Sequence, residues 1–367
     1  MDTQNKKVVI WDINNCLEIK LSKNINFDLF PNCEIKSGLM VIEKNKINIV
    51  IKDWFFWAGA ESINEDLSSA NLLICYTREL VTGPWENYYK ECLKSFNNPN
   101  FIVVASGNLN LKEYPQDRVY THLDHFSSLI ADCCHIEKEV ALKEKPKLFD
   151  ALLGISKPHR LFVFEQLIKN NLENKSYINI WKKGTQGIQY RTKELDTLED
   201  PAVLNAKIDH NNVPVNISAI NIPGLSNGIG LSCSIPKKIY DNAWYSIIAE
   251  THHNNSDFFT EKTTKCFLTK RIFVFFGSKG QLKKIRELGY KTFNDIIDES
   301  YDEIDDDYQR WEKAFEQVIK LSKADHVTLY KKMSKILEHN QKEVLNQKKR
   351  LQRLKNFLDP HIQDTKG

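Results

Sequence analysis

Apolar residues in this chain come in short runs that stop abruptly at polar groups, the pattern of buried parallel strands rather than of half-exposed hairpins. Val8 to Ile13 is one such run, carrying Asp12 near its end and followed by Asn14 and Asn15. Leu72 to Tyr76 repeats it and delivers Thr77, Arg78 and Glu79. Trp85 to Phe96 has helical spacing, with Trp85, Tyr88, Tyr89, Cys92, Leu93 and Phe96 on one stripe, and Phe101 to Ala105 is again a clean strand. Strand, helix and strand in that order imply a right-handed crossover and a parallel sheet. Gly38 to Ile51 alternates around Asn45 and is expected as an edge hairpin.

A charged stretch with a proline, Lys143 to Lys147, marks a boundary, and domains are expected at 1–145 and 146–322. Within the second, His159 to Asn170 reads as a helix with Leu161, Phe164, Leu167 and Ile168 inward, and Ser176 to Trp181 reads as a strand. Periodicity is lost from 182 to 240, where prolines and glycines punctuate an irregular insertion. It returns as a strand over Ala243 to Ala249, a helix from Glu261, a strand over Arg271 to Phe276, a turn from Gly277 to Gly280 and a helix over Gln281 to Leu288. That is a second parallel α/β unit, and ligands of such sheets sit outside the carboxyl ends of the strands.

The segment 323–367 is expected as a basic helical tail: Lys331 to Lys355 holds nine Lys and Arg against Glu338 and Glu343. It follows eight acids between Asp295 and Asp307. Such polarity fits a solvated helix face, or contact with an acidic surface such as DNA or an anionic membrane.

Composition narrows the class. The chain has 367 residues, 41% hydrophobic and 27% charged, with a net charge of +3, so it has room for two cores and no global field that demands a polyanion. Eight cysteines, Cys16, Cys33, Cys75, Cys92, Cys133, Cys134, Cys233 and Cys266, form no C-x-x-C pair and no zinc spacing. They read as reduced thiols of a cytoplasmic protein, and with no apolar h-region after Met1 and no apolar run of about 18 residues, neither a signal peptide nor a membrane span is expected.

Two segments carry candidate chemistry. After the strand ending at Ala249 comes Glu250, placed to accept from ribose hydroxyls, then a polar loop, then Thr260 as the N-cap of a helix bearing Glu261, Lys262 and Lys265. A helix N-terminus beyond a strand end, with Lys262 and Lys265 on one face, suits a diphosphate. Glu261 and Lys265 also read as a solvated i, i+4 pair. The other segment is Leu148 to Arg160. Pro158 suits a first helical turn, and Lys157, His159 and Arg160 crowd that positive end, where cations are disfavoured without an anion. An exposed basic turn is the plainer reading.

Glu250, a short polar loop, the aromatic pair Phe258–Phe259 and Thr260-Glu261-Lys262 resemble the donor-binding signature of the family 10, fucosyltransferase-like glycosyltransferases. The loop here is one residue longer, and His252 and His253 stand where small polar residues are usual. Residues 148–160, with "FDALLG" and "KPHR", 239–251 and 288–302 resemble segments of uncharacterised glycosyltransferase-like proteins of bacteria and phages. The resemblance implies a GT-B architecture, α/β with two Rossmann-like domains facing across a cleft and a helical C-terminal extension. The C-terminal domain would bind a nucleotide sugar and the N-terminal domain a glycan or other hydroxyl acceptor, with neither metal nor separate cofactor.

The donor set is then Lys157, His159, Arg160, Glu250, Thr251, Thr260, Glu261, Lys262 and Lys265. An inverting transfer needs a base at the N-terminal strand ends: Glu79 is the first choice, Asp12 the second, the Asp124–His125 pair the third. Two other functions stand beside this one, sugar transfer to a base of phage DNA with the basic tail on the backbone, and a non-catalytic nucleotide-binding scaffold.

Overall fold

The structure is a computed structural model that describes residues 8–12, 34–37, 46–53, 70–76, 100–106, 114–122, 142–155, 157–181, 237–253 and 259–364. The chain divides into two compact units, residues 1–132 with 346–367, and residues 133–345. Each holds one parallel sheet, so the α/β class expected from the apolar runs is seen, and the two units are compatible with a two-domain Rossmann-like fold.

In the first unit β1 (Val8–Asp12), β2 (Glu34–Ser37), β3 (Ile47–Asp53), β4 (Leu72–Tyr76), β5 (Phe101–Ser106) and β6 (Val119–His122) lie in the order β2-β1-β3-β4-β5-β6. All neighbours are parallel. The edge hairpin expected over Gly38 to Ile51 is not what forms: Ile47–Asp53 is an internal strand, parallel to both β1 and β4. Alternation of residue types does not mean alternation of exposure here, as Asn48 shows. It is in fact 2% exposed and paired with Asn71, whose Oδ1 accepts from Asn48 N at 2.7 Å while Asn71 N donates to Asn48 O at 2.8 Å. The helix expected over Trp85 to Phe96 lies outside the described residues.

The second unit contains β7 (Lys147–Ile155), β8 (Ser176–Trp181), β9 (Ala243–Ala249) and β10 (Ile272–Phe276), ordered β10-β9-β7-β8 and parallel throughout. Between them run α1 (Pro158–Lys169), α2 (Lys237–Asn242) and α3 (Glu261–Leu268), and α4 (Gln281–Glu287) follows β10. Every residue of β9 and β10 is buried, which is why both read as unbroken apolar runs. One ion pair crosses this core: Arg271 reaches Asp150 on β7 and also donates to Ser246 Oγ at 3.1 Å, to Tyr240 O at 2.8 Å and to Ala243 O. Cys266 lies buried close to it, and burial pushes its thiol up to about 12, so it is an inert filler.

The acidic run is a set of caps, not a solvated helix face. Asp302 accepts from Leu282 N and Lys283 N, both at 3.0 Å, closing the start of α4. Glu299 accepts from Phe293 N and Thr292 Oγ1, both at 2.6 Å, and Asp306 caps α5 (Asp307–Ser322) through Gln309 N at 2.8 Å.

The expected tail is not one extension. α6 (His326–Leu345) is part of the second unit, where Tyr330 donates to Trp244 O and Gln341 Nε2 to Leu268 O at 2.6 Å. α7 (Gln347–Asp364) belongs to the first unit: Phe357 lies 5.1 Å from Tyr120, and His361 Nε2 donates to Asp117 O at 3.0 Å. Its apolar stripe, with Leu358 and Ile362 buried, is what the high Lys and Arg content concealed. Among the described residues no helix is long and apolar enough to cross a membrane.

Candidate functional site

The chain enters the second sheet at β7, adds β8 on one side, then crosses back to add β9 and β10 on the other. The strand order therefore reverses between β7 and β9, and beyond the carboxyl ends of strands at such a reversal α/β sheets hold ligands. Both sequence segments arrive at this point. The first, Lys157 to Arg160, follows β7, and the second, Glu250 and Thr251, follows β9. A bulge at the end of β7 sets the approach: the register with β8 slips between Leu152 and Gly154, and Gly154 sits at φ +66° with Arg160 Nη1 just 3.7 Å from where a Cβ would stand.

The two segments are bonded to each other. His159 Nε2 lies 2.6 Å from Glu250 O, Arg160 Nη2 donates to the same oxygen at 3.0 Å, and Lys157 Nζ donates to Thr251 O. The negative partner that three basic residues at a helix start require is thus supplied first by two backbone carbonyls. Lys157, His159 and Arg160 are 8%, 0% and 4% exposed, so the exposed-turn reading fails.

Glu250 has a role different from the expected ribose contact. It is 0% exposed, and its carboxylate accepts from Thr251 N and Thr260 N, each at 3.2 Å, from Thr260 Oγ1 at 2.5 Å and from Thr263 Oγ1 at 2.6 Å. Thr260 is the N-cap as expected, accepting from Lys262 N at 3.4 Å. A carboxylate thus already fills the N-terminus of α3, complementing the helix dipole. Lys262 Nζ reaches Glu261 Oε1 at 2.8 Å, and its side chain is 17% exposed, whereas Lys265 is buried at 3%. Burial works against the Glu261 carboxylate, yet Lys262 and Lys265 beside it hold its pKa below the ordinary value.

The N-terminus of α1 differs. It has no side-chain cap, no acid in its first turn, and Pro158 at its start. Of the two helix starts at the reversal, this is the one that no carboxylate of the described residues caps.

Four residues not chosen from the sequence complete the cluster. His253 Nδ1 lies 2.9 Å from Asp307 Oδ2, and Arg310 ties three segments together, donating to Gly277 O at 3.1 Å, Ile304 O at 2.7 Å, His253 O at 3.5 Å and the Asp307 carboxylate. Trp311 stands 5.3 Å from the His253 ring and 6.0 Å from that of His159. The readable signal was Arg310, a buried cation beside Trp311 on the apolar face of α5.

His159 is kept neutral. Burial pushes its pKa well below the ordinary value, and the nearby His253, Arg160 and Lys157 push the same way. It is therefore not a phosphate-binding cation. Since a carbonyl can only accept, the proton is on Nε2, and Nδ1 presents a bare lone pair.

In the first sheet the strand order reverses between β1 and β3, and Asp12 ends β1, in register with Ser37 and Ile51. Glu79 and the Asp124–His125 pair lie outside the described residues. Among those residues no group of three His, Cys, Asp or Glu side chains gathers as a metal site. No family model, curated protein or solved structure matches the chain.

Proposed function

We propose that this chain is a glycosyltransferase of GT-B type that uses a nucleotide-sugar donor and a hydroxyl acceptor. The observation that supports it best is the convergence, at the reversal of the second sheet, of the two segments that resemble glycosyltransferases. There the donor diphosphate lies at the uncapped start of α1, with Lys157, Arg160 and Lys262 as the cations of the site and Glu250 holding the α3 start in place. Those cations and the helix dipole stabilise the departing diphosphate. Asp12 or Glu79 in the first unit takes the proton of the acceptor hydroxyl.

The test is a melting screen against UDP-, GDP- and CMP-sugars, followed by transfer from labelled donors. A donor at about 100 times its dissociation constant stabilises by about 2.7 kcal/mol. Lys262→Ala is expected to weaken donor binding about tenfold or more, the scale of one charged hydrogen bond, with the fold unchanged. If no sugar nucleotide shifts the melting curve at millimolar concentration, the proposal fails. Binding without turnover with any acceptor reduces the protein to a nucleotide-binding scaffold. Transfer only to DNA, lost as salt is raised, makes it a DNA-modifying enzyme.

A further inference from the structure

Two buried ring nitrogens near the reversal lack a hydrogen-bond partner among the described residues, and they are complementary. His159 Nδ1 is an acceptor and Trp311 Nε1 is a donor. Their residues are 0% and 3% exposed, and their rings lie 6.0 Å apart, with His253 in contact with both at 4.9 Å and 5.3 Å. Leaving such atoms unmet costs the folded state their desolvation, so a fold that keeps both invites a third group. One oxygen atom with two hydrogen bonds of about 2.9 Å can bridge two nitrogens up to about 5.8 Å apart.

That oxygen must accept from the indole N–H and donate to the imidazole. Only a water or a hydroxyl does both. A phosphate oxygen has no proton to give, and an ammonium has no lone pair. We propose that His159 and Trp311 form a hydroxyl-reading subsite, and that in the nucleotide-bound protein the hydroxyl is one of the two on the ribose. The proposal rests on the donor-binding reading above and assigns ribose recognition to this pair instead of Glu250, whose carboxylate already has four protein donors. In the absence of ligand a water occupies the position, and the ribose hydroxyl displaces it while reproducing both bonds.

The test uses the full chain with whichever of UDP or GDP it binds, the 2′-deoxy and 3′-deoxy forms of that nucleotide, and inorganic diphosphate. By calorimetry the wild type is expected to prefer the ribonucleotide over one deoxy form by about 3- to 10-fold, the range of a single neutral hydrogen bond. His159→Gln keeps an amide N–H for Glu250 O but loses the Nδ1 acceptor, and Trp311→Phe keeps an aromatic ring but loses the donor. Both are expected to lose the preference while binding inorganic diphosphate as the wild type does.

A preference that survives in either folded variant, or that the wild type never shows, overturns the subsite and leaves the donor reading standing. Failure of the wild type to bind any nucleoside diphosphate overturns both. Should the variants not fold, 15N-tryptophan labelling of the wild type decides the matter. The Trp311 indole resonance is expected to shift with the ribonucleotide and less with the critical deoxy form, and indifference to both ribose hydroxyls overturns the proposal.

Discussion

Both sheets begin with the same topological move. In each, the first strand takes the second on one flank and the third on the other, and so each has a reversal of strand order, the point at which α/β sheets hold ligands. They differ in what lies behind it. The described strands of the first sheet have an apolar interior, with Ile49, Leu73, Ile74, Val103 and Val104 at 3% exposure or less and Asn48 as a buried polar side chain. The second sheet carries an ion pair through its core and a mesh of carbonyls, threonines and cations at its strand ends. Topology supplies a place for a ligand in both units, whereas buried polar groups fix the geometry of the second.

Removing the ion pair should break the contrast most severely. Asp150→Ala leaves the Arg271 guanidinium buried without its carboxylate, and about 3 to 5 kcal/mol should be lost from the second unit. Urea unfolding followed by tryptophan fluorescence would show it, and an unchanged midpoint would mean the pair does not support this sheet. Next in size is the test of the first reversal. Asp12→Asn should lower turnover about 100-fold while donor affinity stays the same; normal turnover transfers the role of base to Glu79.

A smaller loss, about 2 kcal/mol, is expected for Glu250→Gln, because an amide sets N–H groups against the donors of Thr260 and Thr263. Thermal unfolding measures it. A variant that melts normally but binds nucleotide poorly would restore the ribose role to the glutamate. The gentlest probe is pH. Because His159 is held neutral when folded, the unfolded chain binds a proton there that the folded chain refuses. Stability should therefore fall as pH drops through about 6.5, the ordinary imidazole value, by up to about 1.4 kcal/mol per pH unit, and be regained on the way up. His159→Gln should flatten that slope between pH 5 and 7. If it does not, another group sets the acid limit of the second unit.

Much of the second unit was legible because its strands are buried on both faces and its helix starts carry recognisable caps. Thr260 and Pro158 are examples, and so are the ends of β9 and β10. The partners of the polar groups were not legible. Glu250 and Lys157 look like ligand contacts in a string of letters, and only the spatial neighbours show that a carboxylate feeds four protein donors and an ammonium meets a carbonyl 94 residues away. Asn48 is the opposite case, since a polar residue in a strand announces an exposed face unless its partner, Asn71, is known. In α7 five lysines and arginines stand against five leucine, phenylalanine and isoleucine residues, so composition pointed to a solvated tail while Phe357, Leu358 and Ile362 already carried the packing stripe.

The place of α7 has a consequence for the order in which the protein is made. His361 meets Asp117 across 244 residues of chain, so during synthesis the first unit waits for its last helix until the whole second unit has emerged. At about 5 to 20 residues per second, that interval is roughly 12 to 50 seconds, long compared with the folding of most domains. All four strands of the second sheet are available well before it ends, and the ribosome thus delivers a finished C-terminal unit while Tyr120 of the N-terminal one still lacks Phe357. A nascent chain stalled inside α6 would display that exposed flank to chaperones, and the emergence of α7, not of its own sheet, completes the N-terminal unit.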